Sequence, residues 1–254
     1  MAYFIEGLQG SGKSTLVRKL AEKNKDYTVF TEGDYSPVEL AWCAYMDKGQ
    51  YESILEKYSE IKDEIKSKTF TEEGHYIVCY TKIMTDVPGF YKNLEQYEIY
   101  NARKSFPEFK RIILERFRKW NGGKQIFECS IFQNIVEDMM LFSMASDDEI
   151  VDFYREIKKA LEGREYRIIY LKAGNVKENI EVIKRERSDE NGVELWFPMM
   201  CECFNNSPYA KANGLSGMDG LVKHLEQRQA LELRLCSEVF PENSEVWESK
   251  NYNI

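Results

Sequence analysis

A chain of 254 residues with 43% hydrophobic content can bury one sizeable core, so a single domain over 1–254 is expected, carrying an embedded helical insertion. A net charge of −8 argues against nucleic acid or an anionic membrane as a partner for the surface as a whole, and any anion site must be a local positive island. No apolar run approaches the ~20 residues that span a bilayer, and Met1 passes at once into an apolar stretch with no room for a leader, so the expected compartment is the cytoplasm.

The first predicted element is a strand over about 2–6, built on Ala2-Tyr3-Phe4-Ile5. Directly after it, Gly7-Leu8-Gln9-Gly10-Ser11-Gly12-Lys13-Ser14 fits the pattern G-x-x-x-x-G-K-[ST] without a gap. Thr15 then opens a helix over about 13–24, in which Leu16, Val17 and Leu20 recur at helical spacing among charged residues. A strand, a glycine-rich turn and a helix in that order aim backbone N–H groups and the positive end of a helix dipole at one small volume. Polyphosphate suits that volume. Lys13 is placed to reach β- and γ-phosphates, and the Ser14 hydroxyl to ligate Mg²⁺.

A second strand is expected at Tyr27–Phe30, ending in the polar run Thr31-Glu32-Gly33-Asp34. Ile54, Leu55, Tyr58, Ile61 and Ile65 predict one amphipathic helix between 50 and 68. From 75 to 105 the tyrosine-rich chain suggests only broken helices. Its aromatic and polar mixture suits an acceptor pocket or a half-buried insertion. Pro107 starts a helix stopped by Asn121-Gly122-Gly123, and Gln125–Ser130 reads as a buried strand. Ser146-x-x-Glu149 is a capping box ahead of a helix ended by Gly163, Tyr166–Leu171 is the next parallel strand, and Asn175 starts a helix running into Lys184-Arg185-Glu186-Arg187. A last helix over about 219–239 should turn Leu221, Leu225, Ala230, Leu233 and Val239 to the core. The tail after Pro241, with Val246, Trp247, Tyr252 and Ile254, is read as an edge strand or disorder.

Strands alternating with helices predict an α/β fold: a three-layer, doubly wound parallel sheet of the P-loop NTPase type with right-handed crossovers. A helical insertion over about 40–120 and a lid over about 184–215 complete it. Three further features carry chemistry. Glu128, at the end of a buried strand, can anchor Mg²⁺ opposite Ser14. Glu32 and Asp34, at the end of the second strand, can accept the proton of an attacking hydroxyl. Arg185 and Arg187 can close over phosphates and neutralise transition-state charge. The six scattered cysteines form no C-x-x-C pair and there are two histidines, which argues for reduced, mostly buried thiols and against zinc. Gln133 and Asn134 suit a helix start better than an acceptor contact.

The run Arg185-x-Arg187-x-Asp189-Glu190-x-Gly192-Val193-x-Leu195, preceded by Ile169-Tyr170-Leu171-Lys172-Ala173, resembles the lid region of deoxyribonucleoside kinases, which share their core with thymidylate kinase. Phe127-Glu128-Cys129-Ser130 is similar to their Phe-Glu-Arg-Ser strand, and Glu32 falls where they carry the general base. The resemblance implies ATP with Mg²⁺, transfer of the γ-phosphoryl group to a hydroxyl or phosphate acceptor, and a lid arginine on the phosphates. It also leaves room for a homodimer paired through helices. Cys129 stands where that family has arginine, and Glu32 is followed by Gly33-Asp34 instead of proline. Glu-Gly-Asp is similar, too, to the Asp-Gly-Asp of small-molecule kinases acting on adenylyl sulfate or gluconate.

The resulting expectation is a kinase that binds ATP through Gly7, Leu8, Gln9, Gly10, Ser11, Gly12, Lys13, Ser14 and Thr15. Ser14 and Glu128 hold the metal, Lys13, Glu32, Asp34, Arg185 and Arg187 act in catalysis, and the acceptor is a nucleoside, a nucleotide or another small metabolite. The rivals are a nucleotide-hydrolysing switch, although no N-K-x-D guanine signal is present, and a partner-binding protein with a degenerate site.

Overall fold

The computed structural model describes residues 1–194 and 196–250, so Leu195, Tyr252 and Ile254 lie outside the described residues. The chain forms two compact units: Met1–Val29 with Asn121–Ile254, and Phe30–Trp120. In chain order, β1 (Ala2–Gly7), α1 (Lys13–Lys23) and β2 (Thr28–Phe30) lead into the second unit. That unit holds β3 (Ala44–Met46), α2 (Lys48–Lys57), α3 (Lys62–Ser67), β4 (Thr69–Glu72), β5 (His75–Val78), α4 (Phe90–Glu95) and α5 (Phe106–Lys119). The chain returns with β6 (Gln125–Glu128), α6 (Gln133–Leu141), α7 (Asp147–Ala160) and β7 (Tyr166–Lys172). It closes with α8 (Val176–Glu186), α9 (Trp196–Asn206), α10 (Pro208–Ala212), α11 (Gly217–Arg234), a π turn over Leu235–Val239 and β8 (Ser244–Glu248).

The first unit is α/β. Its five-stranded sheet has the order β2-β6-β1-β7-β8, with β6 and β7 parallel to β1, and β8 parallel to β7. Phe4 pairs with Phe127 on one side and Ile168 on the other, and all three are fully buried. Strands covered on both faces are apolar throughout, and parallel neighbours need helical crossovers, which is why short apolar runs alternate with amphipathic helices in this chain. Leu16, Val17 and Leu20 of α1 pack on Ile5, Ile126, Ile169 and Leu171 of the sheet. The architecture is compatible with a Rossmann-like or phosphate-loop fold, and β2 and β8 are its edge strands. Among the described residues no helix is long and apolar enough to cross a membrane.

The second unit departs from a purely helical insertion. β3, β5 and β4 form an antiparallel sheet in the order β3-β5-β4; β5 falls where only broken helices were expected, and β3 and β4 fall within the insertion expected to be helical. Glu72 pairs with His75 across a two-residue turn in which Glu73 has φ 50° and Gly74 φ 82°. Two consecutive residues with φ above zero make the tight hairpin connection that matches strand twist. The amphipathic helix expected between 50 and 68 is also broken, at Tyr58 (φ −111°, ψ 46°). The Tyr58 hydroxyl donates to the Gly89 carbonyl at 3.2 Å and its ring meets Phe90 edge-on at 5.2 Å. These tertiary contacts hold Tyr58 outside helical geometry although its neighbours keep a helical period.

In the last helical stretch Leu221, Leu225 and Val239 are buried as expected, but the rest of the expected face is not. Ala230 is exposed and Leu233 half-buried, while His224, Arg228 and Glu232 are fully buried beside Leu221, Leu225 and Leu231.

Candidate functional site

The loop from Gly7 to Gly12 carries the chain from the carboxyl end of β1 into the amino end of α1. Gly7 has φ 136°, and a Cβ there would lie 2.5 Å from the Leu171 carbonyl oxygen of β7. At Gly10, φ 74°, a Cβ would collide with the Ile183 side chain of α8. Both positions therefore need glycine for close approach as well as for backbone conformation. Leu8 turns its side chain into a core cluster with Val176, Ile180 and Ile183. Its carbonyl stays in the loop.

Lys13 folds back over this turn. Its Nζ donates to the Gly7 carbonyl at 2.9 Å and the Leu8 carbonyl at 2.8 Å, and an ammonium has a third N–H beyond these two. Next to it, the Ser14 hydroxyl donates to Glu128 Oε1 at 2.5 Å. The contact joins the first turn of α1 to the end of β6, where Glu128 lies in register with Ile5 of β1. The residues expected to face each other across the loop, Ser14 and Glu128, are thus brought together. Thr15 is exposed on the first turn of α1.

The turn after Glu128 is fixed from behind. Cys129 is buried in a left-handed conformation, φ 59°, and its carbonyl accepts from Asn134 Nδ2 at 3.2 Å. Glu6, which precedes the loop glycine, is fully buried and accepts the Ile131 N–H at 2.8 Å and the Gln133 N–H at 3.1 Å. It thereby caps the amino end of α6, which has no side-chain cap of its own. Burial raises the Glu6 carboxyl from its ordinary 4.5 to about 7, against the two N–H groups and Lys13, which act to lower it. Asn134 and the Gln133 N–H thus serve the helix start.

A second buried layer reaches the loop from α11. Arg228 donates from Nη2 to Gln9 Oε1 at 2.9 Å and from Nη1 to Glu137 Oε2 at 2.8 Å, and its Nε lies 3.3 Å from Glu232 Oε1. Glu137 Oε2 also meets His224 Nε2 at 2.9 Å, and Glu232 Oε2 accepts from Tyr170 at 2.6 Å. The Gln9 carbonyl takes Asn179 Nδ2 of α8. None of Glu6, Glu137, Arg228 and Glu232 was picked out from the sequence. The available signal was the four-residue spacing of His224, Arg228 and Glu232 on the apolar side of a helix.

No protein-family model matches this chain, and no curated protein matches it. Its chemistry therefore rests on the residues themselves.

Arg185 and Arg187, at the end of α8, are exposed. The Arg187 guanidinium lies 5.0 Å over the Trp196 ring. Beyond them Asp189 Oδ1 accepts the Asn191 and Val193 N–H groups, each at 2.8 Å, and Ser188 bridges Glu194 in antiparallel fashion. The acidic, glycine-containing run is thus a closed turn built on Asp189.

In the second unit, Asp34 Oδ2 accepts from both the backbone N–H and the hydroxyl of Thr31, at 2.7 Å each, and Oδ1 lies 3.2 Å from Lys82 Nζ. Burial acts to raise its pKa, but the Thr31 and Lys82 contacts outweigh it and hold the carboxyl below the ordinary value. Glu32, on the same turn, is half-buried. Behind it the fully enclosed Glu39 carboxyl accepts the Ala41 N–H and is raised to about 8, first by burial, with the charge of Glu32 adding to the rise.

Proposed function

We infer that this chain is an ATP-dependent phosphotransferase of the phosphate-loop type, moving the γ-phosphoryl group to a small acceptor. The observation that carries the reading is the Ser14–Glu128 contact of 2.5 Å beside a lysine folded over the Gly7 and Leu8 carbonyls. A hydroxyl and a carboxylate are hard oxygen donors, and two of them suit Mg²⁺, which keeps most of its coordination for water and phosphate oxygens. Ser14 and Glu128 would hold that ion, whose chemistry is to neutralise charge across two phosphate groups.

The protein's own residues divide the remaining work. The loop amides and the Lys13 ammonium bind the β- and γ-phosphates. Lys13 exchanges its two carbonyl partners for phosphate oxygens at no change in charge. Arg185 and Arg187, on the helix end, supply further positive charge from the lid. Glu32 accepts the acceptor's proton, a role for which Asp34, spent on Thr31 and Lys82, is less suited.

A nucleoside or nucleotide is the first acceptor to test, and a metabolite alcohol is the second. Cys129 favours keeping the latter in view, because a buried thiol replaces the arginine that the resembled kinases carry at this turn. The test is ADP release with Mg·ATP across a panel of nucleosides, nucleotides and metabolite alcohols. Acceptor-dependent release that Lys13→Ala abolishes supports the reading. Hydrolysis independent of any acceptor would turn it into a switch, and calorimetry without Mg·ATP binding would overturn it.

A further inference from the structure

We propose that Arg228 is a positioning residue for the phosphate loop, acting through the Gln9 side chain. A guanidinium with no exposed surface is an expensive way to fill a helix face that leucine would fill. Three groups of the first unit surround it, and two of them are acids: Nη1 donates to Glu137 Oε2, while Nε lies 3.3 Å from Glu232 Oε1 as an ion pair without hydrogen-bond geometry. The third is neutral and belongs to the loop: Gln9 Oε1, at 2.9 Å.

Glu137 makes the anchor rigid. Burial would raise its carboxyl, but Arg228 and His224 hold it down to about 2, so it remains an anion facing the guanidinium over the whole working range. His224 and Arg228 stand one helical turn apart and share Glu137 Oε2, at 2.9 and 2.8 Å. Tyr170 of β7 fixes Glu232 from the other side at 2.6 Å. The guanidinium is therefore held by α6, α11 and the sheet, and it presents Nη2 to Gln9.

Gln9 is gripped at both ends, since its carbonyl accepts from Asn179 of α8. Fixing that one residue orients the peptide planes that follow, at Gly10, Ser11 and Gly12. Glycine-rich turns otherwise sample many conformations, and loop amides bind an anion well only when they are already convergent. The consequence for nucleotide affinity rests on the nucleotide-binding reading above. The holding of the loop does not.

The experiment uses the full chain and two variants, Gln9→Leu and Gln9→Glu. The first removes the acceptor; the second keeps an acceptor for Arg228. Backbone ¹⁵N relaxation without nucleotide is the first readout. In Gln9→Leu the order parameters of Gly10, Ser11 and Gly12 should fall from a rigid value near ~0.85 to below ~0.6, with those of α11 unchanged. Calorimetric titration with Mg·ATP is the second, and Gln9→Leu should weaken binding about tenfold or more. Gln9→Glu should keep the loop order, whatever its added charge does to nucleotide affinity. Unchanged loop order in Gln9→Leu overturns the proposal, and so does an equal loss of order in Gln9→Glu, because that would trace the effect to the residue's shape and not to its bond with Arg228. If the unaltered protein binds no Mg·ATP, the nucleotide reading fails by itself, and the relaxation data still decide whether Arg228 holds the loop.

Discussion

Glu6→Gln isolates the energetic contribution of the carboxyl behind the loop. Glu6 is fully enclosed, and burial lifts its pKa from 4.5 to about 7. The native state therefore binds a proton more tightly than the unfolded chain, so stability is lost as pH rises through the window from 4.5 to about 7. At about 1.4 kcal/mol for each tenfold change in proton affinity, the wild-type protein should lose about 3 kcal/mol from this group alone between about pH 5 and about pH 8.

Glutamine keeps the shape and one acceptor but cannot ionise. One of the two N–H contacts, to Ile131 or Gln133, is lost at every pH, a constant cost of about 1–3 kcal/mol. Glu39 and Glu98, raised by burial to about 8 and about 7, add slopes of the same sign to both proteins and cancel in the comparison. Urea unfolding of the two proteins at a series of pH values measures the difference. Wild type should be the more stable at about pH 5, and its advantage should shrink or reverse by about 3 kcal/mol by about pH 8. A gap that stays constant across that range refutes the argument that burial, and not the helix-capping contacts, governs this carboxyl.

Four other outcomes follow from the same geometry. Lys13→Ala should lower kcat/KM by at least about 100-fold in the ADP-release assay while urea unfolding stays cooperative. Glu128→Gln should raise the Mg²⁺ concentration giving half-maximal activity by about tenfold or more, because the hydroxyl of Ser14 loses its charged companion. Gly10→Ala should destabilise the fold by about 1–3 kcal/mol in urea unfolding, since it combines a φ of 74° with a collision against Ile183. Glu32→Gln should reduce kcat by about 100-fold or more and Asp34→Asn by less than about tenfold, a ranking that the reverse order in single-turnover rates would contradict.

Much of the first unit was legible because its signals are local. The strand over 2–6, the glycine turn and the helix from Lys13 are adjacent in sequence, and each is marked by period or by glycine. The Ser146–Glu149 capping box is present, with the Ser146 hydroxyl accepting the Glu149 N–H at 3.3 Å. Asn175 caps α8 as its position suggests. The hairpin between β4 and β5 was missed because Glu73-Gly74 is not among the usual pairs that announce such a turn, and strands of four residues are too short to carry much period. The break at Tyr58 was invisible because it depends on Gly89 and Phe90, some thirty positions away.

The site divides along the same line. The Gly7–Ser14 loop and Glu128 could be read directly, because a motif and a strand end place them. The groups that fix the loop could not, because Glu6, Glu137, Arg228 and Glu232 each look like an ordinary surface charge until their elements pack. Buried charges of this kind cost several kcal/mol apiece unless neutralised or bonded. Here Glu6 is raised towards its neutral form, Glu137 stays ionised against Arg228 and His224, and Glu232 is raised by burial against the same guanidinium. Lys13 acts electrostatically on both Glu6 and Glu232, lowering each. Moving that ammonium towards an anion would remove its influence and let both carboxyls rise further. Phosphate binding at the front of the loop should thus be coupled to proton uptake behind it, measurable as a dependence of the binding enthalpy on the buffer's heat of ionisation, with Glu6→Gln removing most of the effect.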